Sequence, residues 1–259
     1  MTEVNAIAVI AYRDLLKFLR DVPRIVSSLV FPLLFIGVLG GSLQSNFGSG
    51  SGYDFLTFIF TGVFAQTLFQ STAMGVISLI DDRENDFSQE IFVSPISRYS
   101  IVFGKILGES LVALPQGVAI VAFGLLVGVH LGGPQLVALL GVGLATCFFG
   151  GAFGIVMLSS FNSRRAANEI FPFILFPQIF TAGIFTPIRV LPLYLEILSR
   201  ISPLRYAVDL LRNLFYARQP ESARVTLDSA ALDAILMAFM FAGFLILGTA
   251  LFVRNERNR

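Results

Sequence analysis

FLILGTALFV, residues 244–253, carries no charge and shows no alternation of apolar and polar positions. A strand of a membrane barrel would alternate, so this run reads as helix. Extended outward it becomes ALDAILMAFMFAGFLILGTALFV (231–253), in which Asp233 is the one ionisable residue. A hydrocarbon core about 30 Å thick takes roughly 20 helical residues to cross. The stretch therefore predicts a transmembrane helix.

The same criterion marks five more stretches, 25–43, 55–80, 101–129, 135–160 and 170–187. Pro32, Pro115, Pro172 and Pro177 fall inside spans, where kinks are expected and neighbouring helices take up the freed backbone groups. Composition agrees: of 259 residues 55% are hydrophobic and 14% charged, with 27 Phe and a mean hydropathy of +0.79, too apolar for a soluble domain. The fold class expected is an all-α integral membrane protein with one transmembrane domain over 1–259 and six transmembrane helices.

The net charge of +1 is gathered into clusters between the apolar runs, which argues against a nucleic-acid partner. Cys147 is the single cysteine, so no intrachain disulfide forms. Residues 1–24 have charges throughout and no compact apolar core of a signal peptide. Orientation follows Lys and Arg. Arg13, Lys17, Arg20 and Arg24, then Arg83, Arg98 and Lys105, then Arg164 and Arg165, then Arg254, Arg257 and Arg259 all fall on one side of a six-span topology. Loops 44–54 and 130–134 have none. Both termini are expected in the cytoplasm.

Residues 1–24 predict an amphipathic interfacial helix with Ile7, Ala11, Leu15, Phe18 and Val22 on one face, Arg13, Asp14, Lys17, Arg20 and Asp21 elsewhere, and Pro23 as its stop. It packs on the bundle, lies on the lipid surface, or does both. The outer segment 188–230 is too apolar for a free loop and is broken by Pro187, Pro192 and Pro203. Leu191, Tyr194, Leu195, Leu198 and Ile201 make one helical stripe, and Leu204, Val208, Leu211 and Phe215 another. Arg205 and Asp209 stand at pairing distance along a helix. Two short helices forming a re-entrant element are expected, with a plain extracellular domain as the alternative.

No catalytic constellation emerges. His130, the lone histidine, stands beside Gly132, Gly133 and Pro134 and reads as a turn residue. No motif of a hydrolase or metalloprotease occurs, Gly104-Lys105 lacks the P-loop's first Gly and its Ser/Thr, and GSGSG (48–52) reads as a flexible outer turn. ATP hydrolysis by this chain, resident cofactors and metals are not expected. Ionisable or amide groups inside spans are the functional suspects. Lys105 and Glu109 form either an anchoring ion pair or a functional intramembrane pair. Gln66, Gln70, Gln116 and Gln178 are candidates to line a pathway, although such residues also bond helix to helix. No carboxylate of the kind that carries protons or sodium sits mid-span, which argues against a secondary transporter.

Between the second and third spans, 81–92 carries Asp81, Asp82, Glu84, Asp86 and Glu90 against Arg83. Phe87 and Ile91 form a small apolar ridge, Pro95 stops the helix and Ser97 caps the next. Physics leaves a docking helix and a solvated loop helix both open.

Glu84 followed by Val93-Ser94-Pro95-Ile96-Ser97-Arg98, then Gly104-Lys105, Gly183-Ile184-Phe185-Thr186-Pro187-Ile188, Leu191-Pro192 and Ser202-Pro203-Leu204-Arg205-Tyr206 resemble, in order and spacing, the permease subunit of ABC type 2 exporters. The resemblance extends to the daunorubicin-resistance-like bacterial permeases, over essentially the whole chain. Asp86 stands where that family commonly has the glycine of E-x-G-T. The resemblance implies a half-transporter in the bacterial inner membrane. A second permease chain completes it, and a separately encoded ATPase holding ATP and Mg docks on the 81–100 segment through Glu84, Asp86, Phe87, Glu90 and Ile91. The re-entrant helices, with Pro187, Pro192, Pro203, Arg205 and Asp209, would close the outer gate. A hydrophobic drug or lipid-like cargo is favoured, with polysaccharide or glycolipid export, a non-transporting assembly subunit and a lipid-modifying enzyme as rivals.

Overall fold

A computed structural model describes residues 3–80, 97–161 and 163–257 of the chain, and among them there is no strand. Helix α1 (Glu3–Arg20) buries Ala6, Ile10, Ala11, Asp14 and Phe18, a stripe with helical spacing. The sequence reading puts Asp14 on the polar face and Val22 on the apolar one. The structure buries Asp14 and leaves Val22 62% exposed, because an ionic partner waits on the neighbouring helix. Nor does Pro23 end α1. The chain breaks at Asp21, whose carboxylate accepts the N–H of Arg24 at 3.1 Å and caps α2 (Val22–Leu34). Proline in a first turn lacks a donor that would be unpaired there anyway.

Helix α2 runs through a π-helical turn, Phe35–Gly40, into α3 (Gly41–Ser51). Pro32 within α2 removes one backbone donor, and the wider turn follows it. The glycine-serine run predicted to be a flexible turn is helical up to Ser51, and only Gly52, at φ +72, turns the chain. That corner is tied from both sides. Gln44 Oε1 accepts the N–H of Phe55 at 2.8 Å and Asp54 accepts that of Thr57 at 2.6 Å.

Then come α4 (Phe55–Gly75, with turns to Ile80), α5 (Arg98–Leu126), α6 (Gly133–Leu158), α7 (Arg164–Thr181), α8 (Leu193–Ile201), α9 (Pro203–Phe215), α10 (Ser222–Val225) and α11 (Ala230–Arg257). Ser97 accepts the N–H of Ser100 at 3.4 Å and Ser163 that of Ala166 at 3.2 Å, capping α5 and α7. Among the described residues 5 helices are long and apolar enough to cross a membrane: Val22–Gly48, Phe55–Ile80, Tyr99–Leu126, Gly133–Leu158 and Ser222–Arg254. The fifth of the six predicted spans, 170–187, corresponds to α7 and falls short of that criterion. It is 18 residues long, opens on Arg164 and Arg165, and contains Glu169, Pro172 and Pro177.

Helix α4 is the hub. It is buried along most of its length and packs against α5, α6 and α9. Close approach to α6 depends on small residues: a Cβ at Gly150 would overlap the Phe69 carbonyl, and one at Gly154 the Ala73 carbonyl. Phe153 then fills the seam between Phe69, at 5.4 Å centroid distance, and Phe244 of α11, at 5.6 Å. Gly154→Val is expected to destabilise by about 1–3 kcal/mol through overpacking. Melting in detergent checks this, with Gly141→Val, whose Cβ meets nothing within 4 Å, staying near wild type.

Beyond α7, Pro187, Pro192 and Pro203 each begin a helical element: a short 3-10 turn (Ile188–Val190), α8 and α9. The predicted stripe of α9 is buried, with Leu204, Val208, Leu211 and Phe215 at 2% exposure or less. That of α8 is not: Tyr194, Leu198 and Ile201, with Leu193 and Ile197, face outward. The predicted Arg205–Asp209 pair does not form. Arg205 Nη2 lies 2.9 Å from Asp228 Oδ2, while Asp209 accepts the N–H groups of Leu227, at 2.9 Å, and Asp228, at 2.8 Å. Unpaired backbone donors in the 226–228 turn recruit the acid that sequence spacing gave to the arginine. Residues 81–96, with the expected coupling residues Glu84, Asp86, Phe87, Glu90 and Ile91, lie outside the described residues.

Candidate functional site: a polar cavity and a buried ion cluster

Helix α1 lies on the first half of α5. Gly104 and Gly108 let the two backbones meet, since a Cβ at Gly104 would stand 3.2 Å from Ile7 Cα and one at Gly108 3.1 Å from Ala11 Cα. The residues that follow these glycines are Lys105 and Glu109, both buried. Lys105 Nζ donates to Asp14 Oδ2 at 2.6 Å and sits 3.0 Å from Glu109 Oε1. Arg13 Nη2 reaches Asp14 Oδ1 at 2.9 Å, and Ser78 Oγ of the α4 end donates to Glu109 Oε1 at 3.2 Å. The other carboxylate oxygen, Glu109 Oε2, rests against bare Gly75 and has Arg24 Nη2 at 3.9 Å. Charges buried as deeply as Asp14, Lys105 and Glu109 hold only when paired, so the cluster joins α1, α4 and α5 at one point, with the half-exposed Arg24 of α2 at its rim.

Beside it opens a cavity of about 520 Å³ between α2, α4, α5 and α7. Its wall mixes polar groups (Arg24, Ser28, Gln70, Ser71, Gln116 and Asn168) with Phe31, Pro32, Met74 and Ile77. The spans look poor in polar liners when read one by one. Folding gathers several of those they have, Gln70, Ser71 and Gln116 among them, into one place.

Of the predicted pathway residues, Gln70 and Gln116 line this cavity. Gln66 is buried one turn from Gln70, with its Nε2 3.4 Å from Gln70 Oε1. Gln178 stands at the opposite end of the bundle, donating to Ile174 O at 3.3 Å and accepting from Ser202 Oγ at 3.5 Å. Lys105 and Glu109 do pair, but the pair is part of a larger cluster whose members Asp14 and Arg24 sequence reasoning missed. The signal for Asp14 was its place four residues after Ile10, within the stripe that includes Ala6 and Ala11.

At that opposite end Arg212 of α9 is buried to 2% exposure. Its guanidinium donates to Gly183 O at 2.7 Å, Phe58 O at 3.1 Å, Ile184 O at 3.4 Å and Thr61 Oγ1 at 3.4 Å, and its Cζ lies 3.6 Å from the Phe58 ring centroid. Nothing in the local sequence marked it, because its partners come from the start of α4 and the turn after α7.

An all-helical bundle with a partly polar cavity, and with an amphipathic first helix packed on its third long helix, is an arrangement many transporters could share. The sequence pattern of the ABC-2 type transporter family matches residues 5–216, from α1 through α9. The chain belongs to the ABC-2 type transporter family. As a family member it is a multi-pass membrane permease, a transporter component and not an enzyme, and the family works with an ATPase. Relatives named "Putative transport permease ycf38" are 24% identical over 82% of this chain and 74% of the relative in Cyanophora paradoxa, and 25% identical over the same shares in Porphyra purpurea. The matched region of this ABC-2 chain takes in the ion cluster, the cavity and Arg212.

Proposed function

We propose that the chain is the membrane subunit of an ATP-driven exporter that moves an amphiphilic, lipid-like or drug-like substrate out of the cell. The observation that carries this reading is the cavity of about 520 Å³, whose wall offers hydrogen-bonding amides and hydroxyls beside apolar side chains. A molecule with a polar head and a greasy body satisfies both kinds of surface. The polar part of the wall also favours, as second reading, a glycolipid or polysaccharide cargo.

The assignment takes α7 as a further crossing, making six. The end of α7 and the turn after it reach Phe58 and Thr61 at the start of α4 through Arg212, while Phe171 near its start packs on Phe153 at 6.5 Å. A helix of 18 residues rises about 27 Å, close to the thickness of the hydrocarbon core. With six crossings the Lys/Arg clusters fall on one side, placing both termini in the cytoplasm of a bacterial cell. Helices α8 and α9 then form the re-entrant outer element, whose exposed α8 face of Leu193, Tyr194, Ile197, Leu198 and Ile201 lies in lipid and whose closure gates the exit.

The ATPase, carrying ATP and Mg, docks on residues 81–100 through Glu84, Asp86, Phe87, Glu90 and Ile91. A second permease chain, identical or related, completes the pathway. Motion at the docking segment passes to α5 and, through the Asp14–Lys105–Glu109 cluster, to α1. The test is export from proteoliposomes holding permease and ATPase, with a fluorescent lipid and a labelled oligosaccharide as competing cargoes. Lipid export stimulated by ATP supports the first reading; oligosaccharide export alone supports the second. Phe87→Asp is expected to insert normally yet lose most ATP-dependent export, at least tenfold below wild type. Undiminished export in that variant removes Phe87 from the docking contact.

A further inference from the structure

We infer that the crevice between α9 and α11 binds a hard divalent cation of the calcium type on Asp209, Asp228 and Asp233. Oxygens of the three carboxylates lie within 4.8 Å of one another. Two ligands of one calcium ion, each at 2.3–2.6 Å, stand up to about 5 Å apart, so the spacing is that of one coordination sphere.

Two of the acids are already oriented by the fold. Backbone N–H groups of Leu227 and Asp228 hold the Asp209 carboxylate, and Arg205 takes one oxygen of Asp228 at 2.9 Å. Asp233 arrives from a separate element, α11, and is fully buried. Its Oδ2 accepts from Asn213 Nδ2 at 3.2 Å, whereas its Oδ1, also buried, has no hydrogen-bond partner.

A carboxylate oxygen with no donor, held among two other carboxylates, is opposed by both desolvation and like charge. Among the described residues Arg205 is the guanidinium in direct contact with these acids, through Asp228, while Arg200 and Arg212 act on Asp228 and Asp209 from farther away and leave Asp233 Oδ1 without a donor. A cation among the three carboxylates supplies the partner that Asp233 Oδ1 lacks. Oxygen ligands alone select calcium or magnesium over zinc or copper. An irregular set supplemented by water suits calcium better than the strict octahedron of magnesium, and the Asp228 side chain, 30% exposed, gives the ion its way in. Bound there, the ion ties α11 and the 226–228 turn to α9, bracing the element assigned above to the outer gate. Binding itself does not depend on the exporter reading.

The test uses the purified full-length permease in detergent, melted in EDTA, in millimolar calcium chloride and in sodium chloride of equal ionic strength. Calcium is expected to raise the melting temperature by about 2–4 °C over EDTA, and sodium to leave it unchanged. In Asp233→Asn, where the amide can donate to Asp209, the calcium response should vanish. Asp228→Asn, at the exposed side of the crevice, should weaken it and serves if the first variant fails to fold. Equal melting of wild type in calcium and EDTA overturns the site, and so does a calcium response kept in both variants. Calcium-indifferent melting that falls as pH rises through neutrality also overturns it, since a proton shared between Asp233 and Asp209 then does the cation's work.

Discussion

Arg212→Met is expected to cost about 3–5 kcal/mol, lowering the melting temperature in detergent by roughly 10 °C. The guanidinium serves the carbonyls of Gly183, Phe58 and Ile184 and the hydroxyl of Thr61, all inside the bundle where water cannot replace it. Methionine fills the volume and leaves those acceptors bare. Lysine keeps the charge but not the planar fork that reaches acceptors on two separate segments, so Arg212→Lys should recover only part of the loss. Gly62 adds a check, because its missing side chain makes room for Nη2 at 3.0 Å from where a Cβ would stand. Gly62→Ala should reproduce a fraction of the defect. A wild-type melting temperature in Arg212→Met would show that the fastening is unimportant.

Lys105→Met should be nearly as severe, at about 3–5 kcal/mol, and its effect should be local to the other end of the bundle. It strands two buried acids, Asp14 and Glu109, which then either take up protons or force α1 off α5. Limited proteolysis within α1 reads the second outcome directly, with faster cleavage than in wild type. Adding Asp14→Asn and Glu109→Gln to Lys105→Met should restore much of the stability, since the penalty comes from unpaired charge and not from lost attraction. High salt should change little, because buried charges are poorly screened. Cleavage of α1 unaltered in Lys105→Met would mean that Gly104, Gly108 and the apolar stripe alone hold the helix.

Apolar runs long enough for the bilayer made the helical class legible from sequence, and Ser97 and the three prolines before short helices marked their boundaries in the same way. Such signals are local: a cap or a proline acts within one turn. Asp14 and Arg212 escaped because a buried charge is explained by partners far away in the chain, and no helical period shows which helix will face it; the half-exposed Arg24 escaped because its acid, Glu109, is equally remote in sequence. The Arg205–Asp209 expectation failed for the same reason. Spacing along α9 permitted the pair, and the 226–228 turn, which that spacing cannot see, claimed Asp209 instead.

Composition, run length and helical spacing by themselves determined that this is a helical membrane protein with an amphipathic first helix, since hydrophobic burial and backbone satisfaction in lipid depend on residue type, length and local period. Only the tertiary structure decided which polar side chains share a cavity, which ion pairs form and where an acid is left without a donor. These depend on helix rotation and on close approach at glycines such as Gly108 and Gly154, distances that are fixed when helices meet and not before.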